Sequence, residues 1–199
     1  MGTIRSSFVF FTLLFPVLGM TQTGEWKLKK EENDIKVFTK DIEGASLDAF
    51  KGVGKIRASV QQVMDVLLDG GNYTEWYPNC SVAEQKENTP ERQVNYSVTD
   101  APFPVSDRDS YVELTYDTLE NGMRINLRAL PNYGPEIEDR VRIHLTKGFW
   151  RLEKLDDQTT LVTYQMQADP GGSIPSWLAN TTAVDMPLES LENLREMAE

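Results

Sequence analysis

The stretch DPGGSIPSWLAN, Asp169 to Asn180, marks the point where one periodicity ends and another begins. Before it, apolar residues recur at every second position, ending with Val162, Tyr164 and Met166. After it they recur at spacings of three and four: Trp177, Thr181, Val184, Leu188, Leu191 and Leu194. Period two belongs to strands with one buried face, and the longer period to an amphipathic helix. Gly171 and Gly172 therefore read as the turn that aims a terminal helix. Ser173 is placed to cap that helix, and Pro175 is tolerated in its first turn, where an N–H has no helical partner. Pro187 removes a donor from the helix interior and should kink or split it near Asp185.

Upstream of this switch the alternation is widespread. Trp26 and Leu28 follow it, then Ile35, Val37 and Thr39, then Val94, Tyr96 and Val98. So do Val112, Leu114 and Tyr116, then Met123, Ile125, Leu127 and Ala129, and finally Val141, Ile143 and Leu145. Turn-forming residues separate the runs, and the count gives about seven to nine strands. One earlier segment breaks the pattern. Val60, Val63, Met64 and Leu67 share a helical face, Ser59 and Gln62 form a capping box, and Gly70 and Gly71 close the helix. The order predicts an α+β, helix-grip fold, with a curved antiparallel β-sheet wrapped around a long C-terminal α-helix.

The first residues are of another kind. Arg5 precedes Phe8 to Met20, an apolar run of 13 residues. A spanning helix needs roughly 20. The arrangement is that of a secretory signal peptide, assigned to residues 1–23, with the domain occupying 24–199. The expected location is secreted or periplasmic. Cys80 is the only cysteine of the 199 residues, so no internal disulfide can form and the fold must stand on its core. The formal charge of −11 disfavours phosphate backbones, so no nucleic-acid partner is expected. Any transient membrane contact would rest on apolar groups, and the chain reads as a monomer.

Catalytic chemistry has little material. His144 is the only histidine, and it alternates out of phase with Ile143 and Leu145, on the polar side of its run. That excludes multi-histidine metal sites, and no cofactor or metal is expected. Cys80 has no base beside it in sequence. Gly171-Gly172 lacks the rest of a phosphate-binding loop, and Asp169 would repel an anion there.

DPGGSIPSWLAN closely resembles the stretch leading into the C-terminal helix of START domains, the steroidogenic-acute-regulatory-related lipid-transfer family. Pro102 to Asp109, PFPVSDRD, resembles the family's loop and strand start, and Trp26-Lys27-Leu28, Phe50-Lys51-Gly52 and Trp150-x-Leu152 fit in the same order. The resemblance implies a mostly apolar tunnel beneath the terminal helix that holds a lipid-like molecule, without chemistry done on it. Carried over, Phe103, Arg108, Trp177, Leu178, Thr181 and Val184 would be ligand-binding positions, with the helix as lid. Arg108 would meet a ligand head group or sit in an internal ion pair; both readings stand. The signal peptide and the short N-terminal region suggest a bacterial envelope version whose ligand need not be a sterol. Two alternatives accompany the carrier or sensor reading. One is a polyketide cyclase or aromatase using the same cavity through Arg108, Tyr96 or Tyr164; the other is an envelope interaction protein with a filled core.

Overall fold

The structure, a computed structural model, describes residues 24–199. The expected signal peptide lies outside the described residues. Ten strands form one sheet: β1 (Lys27–Glu32), β2 (Ile35–Lys40), β3 (Ala49–Ile56), β4 (Cys80–Asn88), β5 (Arg92–Thr99), β6 (Asp107–Leu119), β7 (Gly122–Ala129), β8 (Arg140–Arg142), β9 (Leu145–Asp156) and β10 (Thr159–Asp169). Their order across the sheet is β1-β2-β3-β10-β9-β7-β6-β5-β4, and β8 pairs with the start of β6. The β6–β8 pairing is parallel, and the others are antiparallel. Helix α1 (Val60–Leu68) and helix α2 (Ser176–Ala198) lie on the inner face, with a short 3-10 turn (Gly70–Glu75) following α1. This is the helix-grip architecture that the switch in periodicity predicts.

The strand count exceeds expectation for a physical reason. On β3, Gly52 and Gly54 occupy inward positions, so no apolar alternation appears in the sequence. Gly52 is needed there: a Cβ on it would sit 2.7 Å from Leu191 Cδ1 and 3.3 Å from the Cβ of Pro187. The absent side chain lets α2 press directly on the sheet. Strand β4 is an edge strand with an exposed, charged surface, which blunts pairing with other chains and also hides its period. The edge strand β1 is exposed along its length as well, Leu28 included.

Helix α1 keeps its capping box. The Ser59 N–H donates to Gln62 Oε1 at 3.0 Å, and the Gln62 N–H donates to Ser59 Oγ at 3.3 Å. The C-terminal helix departs from expectation at its start. Pro175 takes the N-cap position, two residues beyond the expected cap, and Ser173 does not cap the helix. Gly171 and Gly172 have φ of +64° and +62°, a left-handed pair that holds the chain in a turn until Pro175. Pro187 lies inside α2 without splitting it.

Two apolar runs face otherwise than their alternation suggests. Val94, Tyr96 and Val98 are buried, but on the outer face, in a second small core with Tyr111. The run from Val141 to Leu145 is not one strand. It divides between β8 and β9, Arg142 is buried, and Leu145 is exposed. Arg142 points into the outer core because Asp109 waits there. Its Nε and Nη2 donate to the two carboxylate oxygens at 2.9 and 2.8 Å. The same guanidinium donates to the carbonyls of Pro131 and Pro135, fastening the loop that covers this second core.

Candidate functional site

The main interior lies between the sheet's inner face and the two helices. Register places Asn95 opposite Val112, Ser97 opposite Ser110, and Gln93 opposite Leu114, so β5 turns a polar row inward. Opposite it stand the aromatic residues of the turn after α1 and of β9 and β10. Tyr164 stacks on Trp150 with ring centroids 3.7 Å apart, and Trp76 packs edge-on against Trp150. The hydroxyls of Tyr77 and Tyr164 share a hydrogen bond of 2.8 Å. Between these groups remains a cavity of about 70 Å3, bordered by Tyr73, Trp76, Tyr77, Asn95, Trp150 and Tyr164. That is room for a few water molecules. Small-molecule sites usually measure about 300–1,000 Å3.

The polar groups here are not all satisfied. Asn95 Nδ2 donates to Tyr73 Oη at 3.4 Å, and Tyr73 Oη donates to the Leu67 carbonyl at 2.7 Å. Asn95 Oδ1 and Trp76 Nε1, both buried, have no partner among the described residues. An unpaired buried acceptor costs about 1–3 kcal/mol, so a group that donates to Asn95 would be favoured. Burial pushes Tyr77 up to about 12 and Tyr164 well above the usual tyrosine value, the latter helped by its neighbour Tyr77. Burial likewise raises Tyr73. At neutral pH these residues present hydroxyls, not phenolates. The Cys80 thiol is also pushed up by burial, to about 11, so it carries little thiolate.

The positions expected from sequence divide into two sets. Arg108 is buried on the inner side of β6, near the turn that leads into α2. One terminal nitrogen donates to the Ser106 carbonyl and the other lies 3.5 Å from the Gly171 carbonyl, while Nε has no partner among the described residues. Among the described residues Arg108 forms no ion pair. Its sequence neighbour Asp109 points to the opposite, outer face of the strand, where it pairs with Arg142. Burial pulls the Arg108 guanidinium below its ordinary range, with Asp107 acting the other way. Leu178 and Val184 are half-buried, and Val184 packs on the main core.

Phe103, Trp177 and Thr181 stand in the other set. Phe103 is 96% exposed and Trp177 57%, and Thr181 faces solvent. The inward residues of this half of the helix are Ala179 and Ala183. The reason is rotational: at 3.6 residues per turn Trp177 and Thr181 stand roughly 120–160° around the helix from Ala179 and Ala183, the residues that rest on the fold in this half. Tyr96 lies on the outer face, where Arg140 Nη1 donates to its hydroxyl at 2.8 Å, so it is not in the cavity. Asn95, Tyr77 and Trp76 were missed. The alternation Gln93, Asn95, Ser97 was legible but reads as a solvated face.

A curled sheet gripping a terminal helix over an aromatic interior with polar groups set into it defines the helix-grip class. The family model for the START domain matches residues 19–185. The chain belongs to the START family. It is similar to a STAR-related lipid transfer protein from Xanthomonas axonopodis, whose crystal structure is 39% identical with a TM-score of 0.80, covering 86% of this chain and 97% of that one. An uncharacterized protein of Pseudomonas aeruginosa is 35% identical over 100% of this chain and 98% of its own length. The phosphatidylcholine transfer protein of Rattus norvegicus is 26% identical over 80% of this chain and 77% of its own.

Proposed function

We propose that this chain binds a lipid-like molecule in the interior beneath α2, acting as a carrier or sensor rather than an enzyme. One observation carries the reading: a cavity walled by Trp76, Trp150 and Tyr164 is bordered by Asn95, whose buried Oδ1 has no partner among the described residues. Aromatic walls favour an apolar body, and each CH2 transferred from water contributes about 0.8 kcal/mol. A hydroxyl or amide donor on the ligand would satisfy Asn95. At about 70 Å3 the cavity must enlarge to take a lipid, and displacement of the N-terminal half of α2 would open it. In the opened state Leu178, Thr181, Val184 and Trp177 would border the ligand, Arg108 would meet an anionic head group, and Phe103 would flank the mouth or touch a membrane. Similarity to a phosphatidylcholine transfer protein supports the lipid class.

The test is native extraction followed by mass spectrometry, with a panel of phospholipids, sterols and fatty acids added to the stripped protein. A co-purifying hydrophobic molecule, or saturable binding of one panel member that raises the unfolding temperature, is the expected result. Empty protein that also ignores the whole panel would sink the carrier reading. We also propose export through residues 1–23 to the bacterial envelope as a monomer. N-terminal sequencing should find the mature chain beginning near residue 24. An intact Met1 on all of the cellular protein would refute export.

A further inference from the structure

The sheet's outer face carries a separate feature. Register pairs Arg128 with Lys147 and Arg124 with Arg151 on neighbouring strands β7 and β9, with Asn126 opposite Phe149 between them. Like charges directly across a strand pair repel and destabilise the sheet. Arg151 is offset by Glu153 at 3.0 Å and Arg128 by Glu113 at 2.6 Å, which leaves Arg124 and Lys147 as the cations of the two pairs without a counter-charge among the described residues.

Of these cations Arg124, Arg128 and Lys147 border a groove of about 730 Å3, to which Lys40 and His144 also contribute. Among the described residues its one carboxylate is Glu113, and that group is already held by Arg128 and Arg92 at 2.6 and 3.0 Å. Lys40, Arg124 and Lys147 make no ion pair among the described residues. Asp117 lies opposite Arg124 in register, but its carboxylate accepts from Asn126 Nδ2. The Arg124 guanidinium is fixed in place: it lies 3.7 Å from the Phe149 ring centroid, and its Nε donates to Asn126 Oδ1 at 2.8 Å. Its terminal nitrogens remain available for an incoming acceptor.

The concentration of positive charge runs against the rest of the molecule. The formal charge is −11, and α2 on the opposite side presents Asp185, Glu189, Glu192 and Glu196. The acidic remainder would repel an extended polyanion such as a nucleic acid. A compact anion seated in a recess of this volume escapes most of that repulsion, and the size is that of a small-molecule site. Fixed guanidinium groups favour oxyanions through paired, charge-assisted hydrogen bonds.

We propose that the outer groove is a second binding site, independent of the interior, for a molecule bearing two or more phosphate-type oxyanions. The ligand supplies the counter-charge that Arg124 and Lys147 lack. Calorimetric titration of the purified protein with tripolyphosphate tests it, alongside sedimentation with phosphatidylcholine vesicles containing or lacking phosphatidylglycerol. Tripolyphosphate should bind at low salt and weaken as salt rises. Arg124→Gln with Lys147→Gln should weaken it by about tenfold or more, with an unchanged or raised unfolding midpoint showing the variant folded. Binding of tripolyphosphate without vesicle binding assigns a soluble oxyanion. Binding of both, each weakened in the variant, assigns a lipid headgroup. Failure of tripolyphosphate to bind, with or without vesicle binding, overturns the site, and so does a double variant that binds as the parent does.

Discussion

The two halves of α2 are held in different ways. From Leu188 onward, Leu191, Leu194 and Ala198 are buried in the main core, and side chains fasten the helix to its surroundings. Arg195 donates to the carbonyls of Asn33 and Lys55, Asn193 donates to the Trp76 carbonyl, and Asn33 donates to Glu192. Among the described residues, no side-chain hydrogen bond joins residues 177–184 to the rest of the fold. That half buries alanines and exposes a tryptophan. Pro187 stands between the halves, where its missing N–H leaves the helix one bond short. One element thus serves as both a wedge in the core and a cover that little restrains.

Substitutions should separate the two behaviours. Leu191→Ala removes the side chain that fills the space above Gly52, and urea unfolding should show a loss of about 2–5 kcal/mol. A loss well under 1 kcal/mol would mean that the C-terminal half is not seated as described. Pro187→Ala restores a helical donor and keeps the Cβ that faces Gly52, so stability should rise, by about 1–3 kcal/mol given the proline penalty inside a helix. If this half opens as a lid, ligand exchange measured by stopped flow should slow in the same variant. Trp177→Ala should change stability by less than about 0.5 kcal/mol, as for an exposed residue, while reducing ligand affinity. Large destabilisation without loss of affinity would reverse the roles given to the two halves.

The smallest expected effect concerns charge on the anchored half. Burial raises the Glu189 carboxyl above its ordinary value, and Asp185 and Glu192 add to the shift. Above the raised value the folded state carries a repelled carboxylate, so Glu189→Gln should stabilise the protein by a few tenths of a kcal/mol at neutral pH. A carboxyl raised on folding binds its proton more readily in the native state, so the penalty fades as pH falls. Parent and variant should converge below the ordinary value of 4.5. A gap that widens on acidification would contradict this account.

Much of the architecture was legible because period two and period 3.6 report secondary structure directly. The turn at Gly171-Gly172, the capping box at Ser59 and the terminal helix all followed from local chemistry. Facing was less legible. Alternation shows that Val94, Tyr96 and Val98 share a side, but a sheet with a second core outside offers two buried sides. Only the loop fastened by Arg142 decides which one they occupy. The site suffered from the same ambiguity. Asn95 and Ser97 look like solvated positions until the fold closes over them, and Arg108 looks like half of an ion pair until the strand sets it on the face that Asp109 does not share. Trp177 and Thr181 lie outward because this half of the helix seats on Ala179 and Ala183, roughly 120–160° around from them, and small alanines leave little trace in an apolar pattern.

The stack of Trp150 on Tyr164, with Trp76 beside it, gives the interior its own optical reporter. Emission from the two enclosed indoles should respond to whatever fills the space next to them, whereas Trp177, out in solvent, is open to an aqueous quencher such as iodide. Collisional quenching can therefore report occupancy and cover movement in the same cuvette, with no label attached.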